Sequence, residues 1–191
     1  VKDPFNTERL KNVTFSDSVK LGTNKGETDF GDGLLKPSGI YNCFVQNCTI
    51  GDNAYLSNIG TLANYNIGDN TAIENVGTLR VKGKTTFGNG HEIDILNEGG
   101  GRELPIFDRL SAQIAYLLVI YRHNPELISE LKKIIFAYVR RCESEVGKIG
   151  NHTKILHTKT IENVNIGDFA LIRGASLLEE GTIKSNEPAP V

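Results

Sequence analysis

Four histidines and one glycine-rich loop carry the residue types that can do chemistry in this chain. His91, His123, His152 and His157 each offer an imidazole able to take a proton from a hydroxyl or amine near neutral pH. The loop Asn97, Glu98, Gly99, Gly100, Gly101, Arg102, Glu103 lets backbone N–H groups converge on an anion, with Arg102 and Arg109 as a clamp for a phosphate. Glu98, Glu103 and Asp108 read either as acids and bases or as partners of those arginines. A structural reading competes with this one. Any chain leaving one element to start a helix needs such a glycine run, three carboxylates oppose an anion, and the Lys-Ser/Thr ending of a phosphate loop is absent. His123 ends an apolar helical stretch and reads as a favourable C-terminal charge.

The elements that must position these groups are legible in a repeat. VQNCTIGDNAYLSNIGT (45–61) is followed directly by LANYNIGDNTAIENVGT (62–78), so one unit gives way to the next with nothing between them. LKNVTFSDSVKL (10–21) and IENVNIGDFALI (161–172) share the template, while FGNGHEI (87–93) and IGNHTKI (149–155) match its second half. Aliphatic residues fall at 45, 50, 56, 62, 67 and 73 and again at 149, 155, 161, 166, 172, 178 and 183. Steps of five or six exclude an α-helix. They fit three short parallel strands per turn of a solenoid, with Gly-Asp and Asn steps as corners. Asn47, Asn64 and Asn163 are expected to take a left-handed backbone and to stack into an amide ladder. His91 aligns with Ala54 and Thr71, a small inward position, so a bulky imidazole there marks either a site or a filler at a gap.

Two segments break the rhythm. Thr23–Gly39 reads as a loop leaving the second coil. After Ile93 the coil is left unfinished until Ile149, and the apolar positions between have helical spacing. Asn124-Pro125 supplies an N-cap and a first-turn proline, giving helices over about 106–123 and 125–146. Leu117, Leu118, Val119 and Ile120 cover most of a circumference, so the first helix is expected to be buried on nearly every side.

The coil pattern resembles the left-handed β-helix of hexapeptide-repeat proteins, over roughly residues 10–22, 40–98 and 149–183. The NEGGGRE loop and a helical pair carrying YRH-x-PEL are similar to an uncharacterised bacterial hexapeptide-repeat family whose members are often longer. The expected fold is therefore mainly β: a left-handed parallel β-helix over 1–98 and 149–184, with a loop insertion at 23–39. A glycine-rich loop and α-helical hairpin fill 99–148, and 185–191 is a tail or linker. The resemblance implies a homotrimer, with acyl-coenzyme A or a nucleotide sugar bound in an inter-subunit groove and His91 as the general base. A non-catalytic trimerising scaffold is the alternative. The γ-class carbonic anhydrases share this fold and place zinc between subunits, which draws attention to His152 and His157. Five extended residues span about 16 Å, so both could serve one zinc, at about 2.1 Å, only across an interface. The resemblance supplies no clear third ligand.

Composition narrows the classes further. Hydrophobic content is 39%, charged content 23% and net charge −2 over 191 residues, giving no basic excess for nucleic acid or an anionic membrane. No apolar run reaches membrane-spanning length. Three cysteines, Cys43, Cys48 and Cys142, cannot all pair, and no signal peptide is visible, so a reducing, cytoplasmic setting is expected. Cys43 and Cys48 read as packing residues. The chain starts at Val1 rather than Met, as expected of an excerpt.

Overall fold

Aliphatic side chains at those steps line one core. Val45, Ile50, Leu56, Leu62, Ile67, Ile73, Ile149, Ile155, Ile161 and Ile166 are all buried. The computed structural model describes residues 1–31, 33–94, 100–101 and 103–191. It is mainly β and divides into two compact units: Val1–Gly83 with Glu145–Val191, and Lys84–Ser144.

The first unit is a curled parallel sheet. Gly39–Gln46 pairs in parallel with Tyr55–Ala63, which pairs in parallel with Ala72–Arg80, so that Ile40 lies beside Leu56 and Leu56 beside Ile73. Thr160–Ile166 pairs likewise with Leu177–Ile183. Partners then jump across the middle of the chain: Tyr65–Ile67 pairs with Gly147–Ile149, and Ala72–Glu74 with Lys154–Leu156. The sheet is therefore left after Val81, and the FGNGHEI segment does not join it. Glu92–Ile93 instead pairs antiparallel with Leu104–Pro105.

Corners are made by left-handed residues stacked in columns. Asn47, Asn64 and Asn163 have φ of 48°, 60° and 57°, and Asn47 Nδ2 donates to Asn64 Oδ1 at 2.9 Å; the expected ladder stops there, because Asn64 Nδ2 donates to Val81 O at 2.8 Å and Asn163 Nδ2 to Glu180. A second column is longer: Asn12 donates to Asn42 (3.1 Å), Asn42 to Asn58 (2.9 Å) and Asn58 to Asn75 (2.9 Å), and Asn75 Nδ2 reaches His157 Nδ1 at 3.1 Å. Asn tolerates this conformation better than most residues, and each amide bridges to the next layer. Cys43 pairs with Ile59 but Val45 with Leu62, so the partner strand takes up an extra residue there and the register shifts.

The second unit holds α1 (Ala112–Ile120), a 3₁₀ turn (Tyr121–His123) and α2 (Pro125–Cys142). The first helix begins at Ala112, later than its apolar spacing implies, because Ser111 caps it by accepting from Ile114 N. Asn124 Oδ1 caps α2 by accepting from Leu127 N at 3.1 Å. Leu104, Leu118, Ile135 and Val139 form the unit's apolar cluster. Of α1 only Leu118 is buried; Tyr116 and Ile120 are 58% and 50% exposed, against the expectation of burial all round. Thr85 and Ser144 exchange backbone hydrogen bonds of 3.0 and 2.9 Å, so the two ends of this unit meet.

Cys43 and Cys48 lie in the core of the first unit, where burial pushes both thiols upward. Cys142 is only half-buried. A disulfide reagent at about pH 8 is expected to titrate one thiol in the folded protein and all three of the chain after denaturation. Three fast thiols in the native state would contradict the packing.

Candidate functional site

One corner column changes character along its length. Asn53, Asn70, His152 and Phe169 have φ of 54°, 53°, 55° and 58°. The last three are held by their backbone N–H groups, donated to the preceding layer: Asn70 to Asp52 O, His152 to Asp69 O and Phe169 to Asn151 O, at 2.8, 2.9 and 2.8 Å. The residues before them form a parallel rail in which Asp69 Oδ1 accepts from Asp52 N, Asn151 Oδ1 from Asp69 N and Asp168 Oδ1 from Asn151 N. This rail fixes the corner tightly enough to keep bulky residues left-handed. A non-glycine residue there carries about 1–3 kcal/mol of strain. The rings of His152 and Phe169 stack with centroids 4.8 Å apart and 13° between planes, the spacing of adjacent strands. That stacking offsets part of the strain.

Opposite this shelf stands a β-hairpin, Glu27–Asp29 paired with Leu35–Pro37. Thr28 is buried and donates to Asn53 O at 2.9 Å, and Gly26 N donates to Asn53 Oδ1 at 2.9 Å. Strand alternation then turns Glu27 and Asp29 the other way. Lys36 anchors the second strand: its Nζ lies 2.7 Å from Glu74 and 4.2 Å from the centre of the Phe30 ring. Phe30 in turn meets Tyr55 edge-on at 5.1 Å. Between hairpin and corner lies a groove of about 340 Å³ lined by Glu27, Asp29, Asn70, His152, Lys154 and Phe169. Among the described residues, neither ring nitrogen of His152 has a hydrogen-bond partner, and Glu27 and Lys154 have no ion-pair partner. Such a groove presents an aromatic face, two carboxylates, an amide, a free ammonium and a free imidazole to one ligand.

Comparison with known sequences places the chain. A family described as a domain of unknown function, DUF4954, matches residues 1–191. The chain belongs to that family. An uncharacterized protein of Treponema pallidum (strain Nichols) is 23% identical over 201 residues, covering 100% of this chain and 28% of the relative. The domain thus spans just over a quarter of that relative's length. No solved structure matches.

The remaining candidates of this DUF4954 chain fall elsewhere. His91 is exposed and sits in the second unit. Its carbonyl accepts from Ile106 N at 2.9 Å, beside Gly90 at φ 91°. It does not take the inward place of Ala54 and Thr71. Thr153 does, because Lys154 pairs with Ala72 and brings Thr153 level with Thr71. The structure brings Asp108 and Arg109 together at Tyr138: the Tyr138 hydroxyl donates to Asp108 Oδ1 at 2.6 Å, and Arg109 lies over the same ring at 4.8 Å. The hydrogen bond to the Asp108 carboxylate holds that phenol well above its usual range. Both residues are thereby committed to packing. Glu103 is exposed and accepts from Gly101 N at 3.0 Å; Gly100 and Gly101 have φ of 71° and 81°. Asn97, Glu98, Gly99 and Arg102 lie outside the described residues.

His123 stays with its own helix end, against Tyr121 and Ile120 O. His152 and His157 stand on different corner columns, each with its own neighbour, and no group of three or more His, Cys, Asp or Glu side chains suited to a metal occurs among the described residues. Among those residues no helix is long and apolar enough to cross a membrane. Sequence reasoning names His152 as one of four candidate imidazoles and as a metal ligand, and misses Glu27, Asp29, Asn70, Lys154 and Phe169. A signal is nevertheless present. The corner tetrads read IGDN, IGDN, IGNH and IGDF along the chain, so two successive layers replace the asparagine with an aromatic ring.

Proposed function

We propose that the first unit is a left-handed β-helix whose groove binds a hydroxyl-rich, saccharide-type acceptor, and that the protein is a transferase acting on a hydroxyl of that ligand. The observation that carries this reading is the unpartnered His152 imidazole stacked on Phe169 across from two carboxylates. An aromatic face suits the apolar side of a sugar ring, and carboxylates and amides suit its hydroxyls. In acyl transfer from a thioester such as acyl-coenzyme A, the His152 imidazole takes the proton as the hydroxyl oxygen bonds to the acyl carbon. The carbon–sulfur bond then breaks and the proton leaves with the thiol. Lys154 is placed to attract a negatively charged donor or a nucleotide sugar. Three free thiols suit a reducing, cytoplasmic setting.

Calorimetric titration with a panel of saccharides, nucleotide sugars and acyl-coenzyme A tests the reading. At least one should bind the native protein, and His152→Gln should slow turnover by about 10²–10⁴-fold in a protein that still folds cooperatively, with only the small fall in melting temperature that loss of the Phe169 stack brings. Equal turnover by wild type and variant would remove His152 from the chemistry.

The second reading is a trimerising scaffold in which α1 and α2 act as a hairpin held between copies. Tyr116, Ile120 and Ile134, 58%, 50% and 67% exposed, favour it, because they are large apolar side chains on the two helices that a contact between copies would cover. A trimeric mass in sedimentation together with no ligand in the same panel would select it.

A further inference from the structure

The second unit carries a feature that the saccharide groove does not use. A shallow groove of about 610 Å³ follows α2, and Arg122, Ile128, Lys132, Lys133, Phe136 and Arg140 line it. Apart from Arg122 in the preceding turn, these residues recur at helical spacing on one stripe of α2, from Ile128 to Arg140. At about 1.5 Å per residue the stripe runs on the order of 20 Å. Its floor is apolar and firm, since Ile128 and Phe136 pack against the unit's apolar cluster. Its rim is cationic. Arg122 and Arg140 have no carboxylate partner among the described residues, and Lys132 and Lys133 pair only with Glu92 and Glu130 at 2.6 Å. Exposed pairs of that kind contribute about 0–1 kcal/mol, so an incoming carboxylate can replace either glutamate at little cost.

We infer that this groove docks an acidic peptide segment with apolar anchors, a partner distinct from any ligand of the first unit. Four cations beside an apolar floor complement a strand or helix whose carboxylates flank one or two large apolar side chains. About six or seven extended residues, at roughly 3.3 Å each, match the stripe. A nucleic acid fits less well, because its phosphate backbone offers no apolar side chain to the floor formed by Ile128 and Phe136. Binding of this kind is electrostatically steered and weakens with salt.

Fluorescence anisotropy on the whole chain tests the inference with short labelled peptides. One alternates Glu or Asp with Leu and Phe, a second has Ser for the apolar residues, a third has Lys for the acids, and a single-stranded RNA is the fourth probe. The acidic apolar peptide should bind best, at least tenfold tighter than the other three, and should lose about tenfold between low and physiological salt. Arg122→Glu with Arg140→Glu should weaken it by tenfold or more; both side chains are exposed, so the melting temperature should hold. No binding of that peptide at low salt would overturn the proposal. So would equal binding of the serine peptide or of RNA, or an undiminished affinity in the double variant. Because the first unit's groove is untouched by these substitutions, saccharide binding serves as the internal control, and each proposal can fail without the other.

Discussion

Tyr65→Ala is expected to destabilise the protein by about 3–5 kcal/mol, and adding Gly147→Ala to it should cost less than Gly147→Ala costs alone. Strand register explains why. Gly147 pairs with Tyr65, and Ile149 with Ile166, so Tyr65, Gly147 and Val164 occupy one inward column in successive layers. Tyr65 is fully buried and reaches past Gly147: its hydroxyl donates to Val164 O at 2.8 Å and accepts from Val164 N at 3.3 Å. A Cβ on Gly147 would overlap Tyr65 Cε1 and meet Val81 Cγ2 at 2.8 Å. That overlap is worth about 1–3 kcal/mol in the wild-type core. With the ring gone the new methyl falls into the space the ring left, so the two changes should couple by about 0.5–3 kcal/mol. Urea unfolding of the four proteins measures the coupling, and strict additivity would mean that the ring does not occupy the space over Gly147. Tyr65→Phe isolates the hydroxyl. Its loss leaves the Val164 polar groups without this partner and should cost about 1–3 kcal/mol.

The same column shows what local pattern can and cannot reveal. Aliphatic steps of five and six mark the core because each short side turns one large side chain inward; Val45, Leu62 and Ile155 all obey. Asparagine at corners is legible for a similar reason, since its left-handed conformation is a property of the residue itself. Neither the exit from the sheet nor the re-entry is local. FGNGHEI carries the second half of the template, yet no strand there pairs in parallel, and the decisive contact joins Tyr65 to Gly147 across the whole intervening unit. That error of phase is what misplaces His91. The groove is hidden for another reason. Glu27 and Asp29 gain their position from a hairpin pinned at Asn53 and, through Lys36, at Glu74, far along the chain. No spacing rule ties those positions together, whereas the substitution of His152 and Phe169 into asparagine corners is visible to direct alignment of the layers.

Excising residues 84–144 and joining Gly83 to Glu145 through a short Gly-Ser linker is expected to remove nearly all helical signal from the circular dichroism spectrum and leave a cooperatively folding β protein. Both α-helices described in the chain lie within the excised span. The flanks are already held. Val81 N donates to Ala63 O at 3.1 Å, and Gly147 N to Asn64 O at 2.9 Å, so exit and re-entry bind neighbouring residues of one layer. Thr85 and Ser144 face each other across two backbone hydrogen bonds, which places the cut ends within reach of a short linker. Loop closure changes by only about 0.6 kcal/mol for each doubling of length, so shortening the connection should not penalise folding. What remains keeps the parallel pairs Tyr65–Ile67 with Gly147–Ile149, Ala72–Glu74 with Lys154–Leu156 and Thr78–Arg80 with Thr160–Glu162. The excised protein should unfold in a single urea transition, keep its saccharide response and lose its affinity for the acidic peptide. An aggregated or non-cooperative product would show that the stacked layers depend on the inserted unit, and that an interruption of this length is not a passive excursion from the sheet.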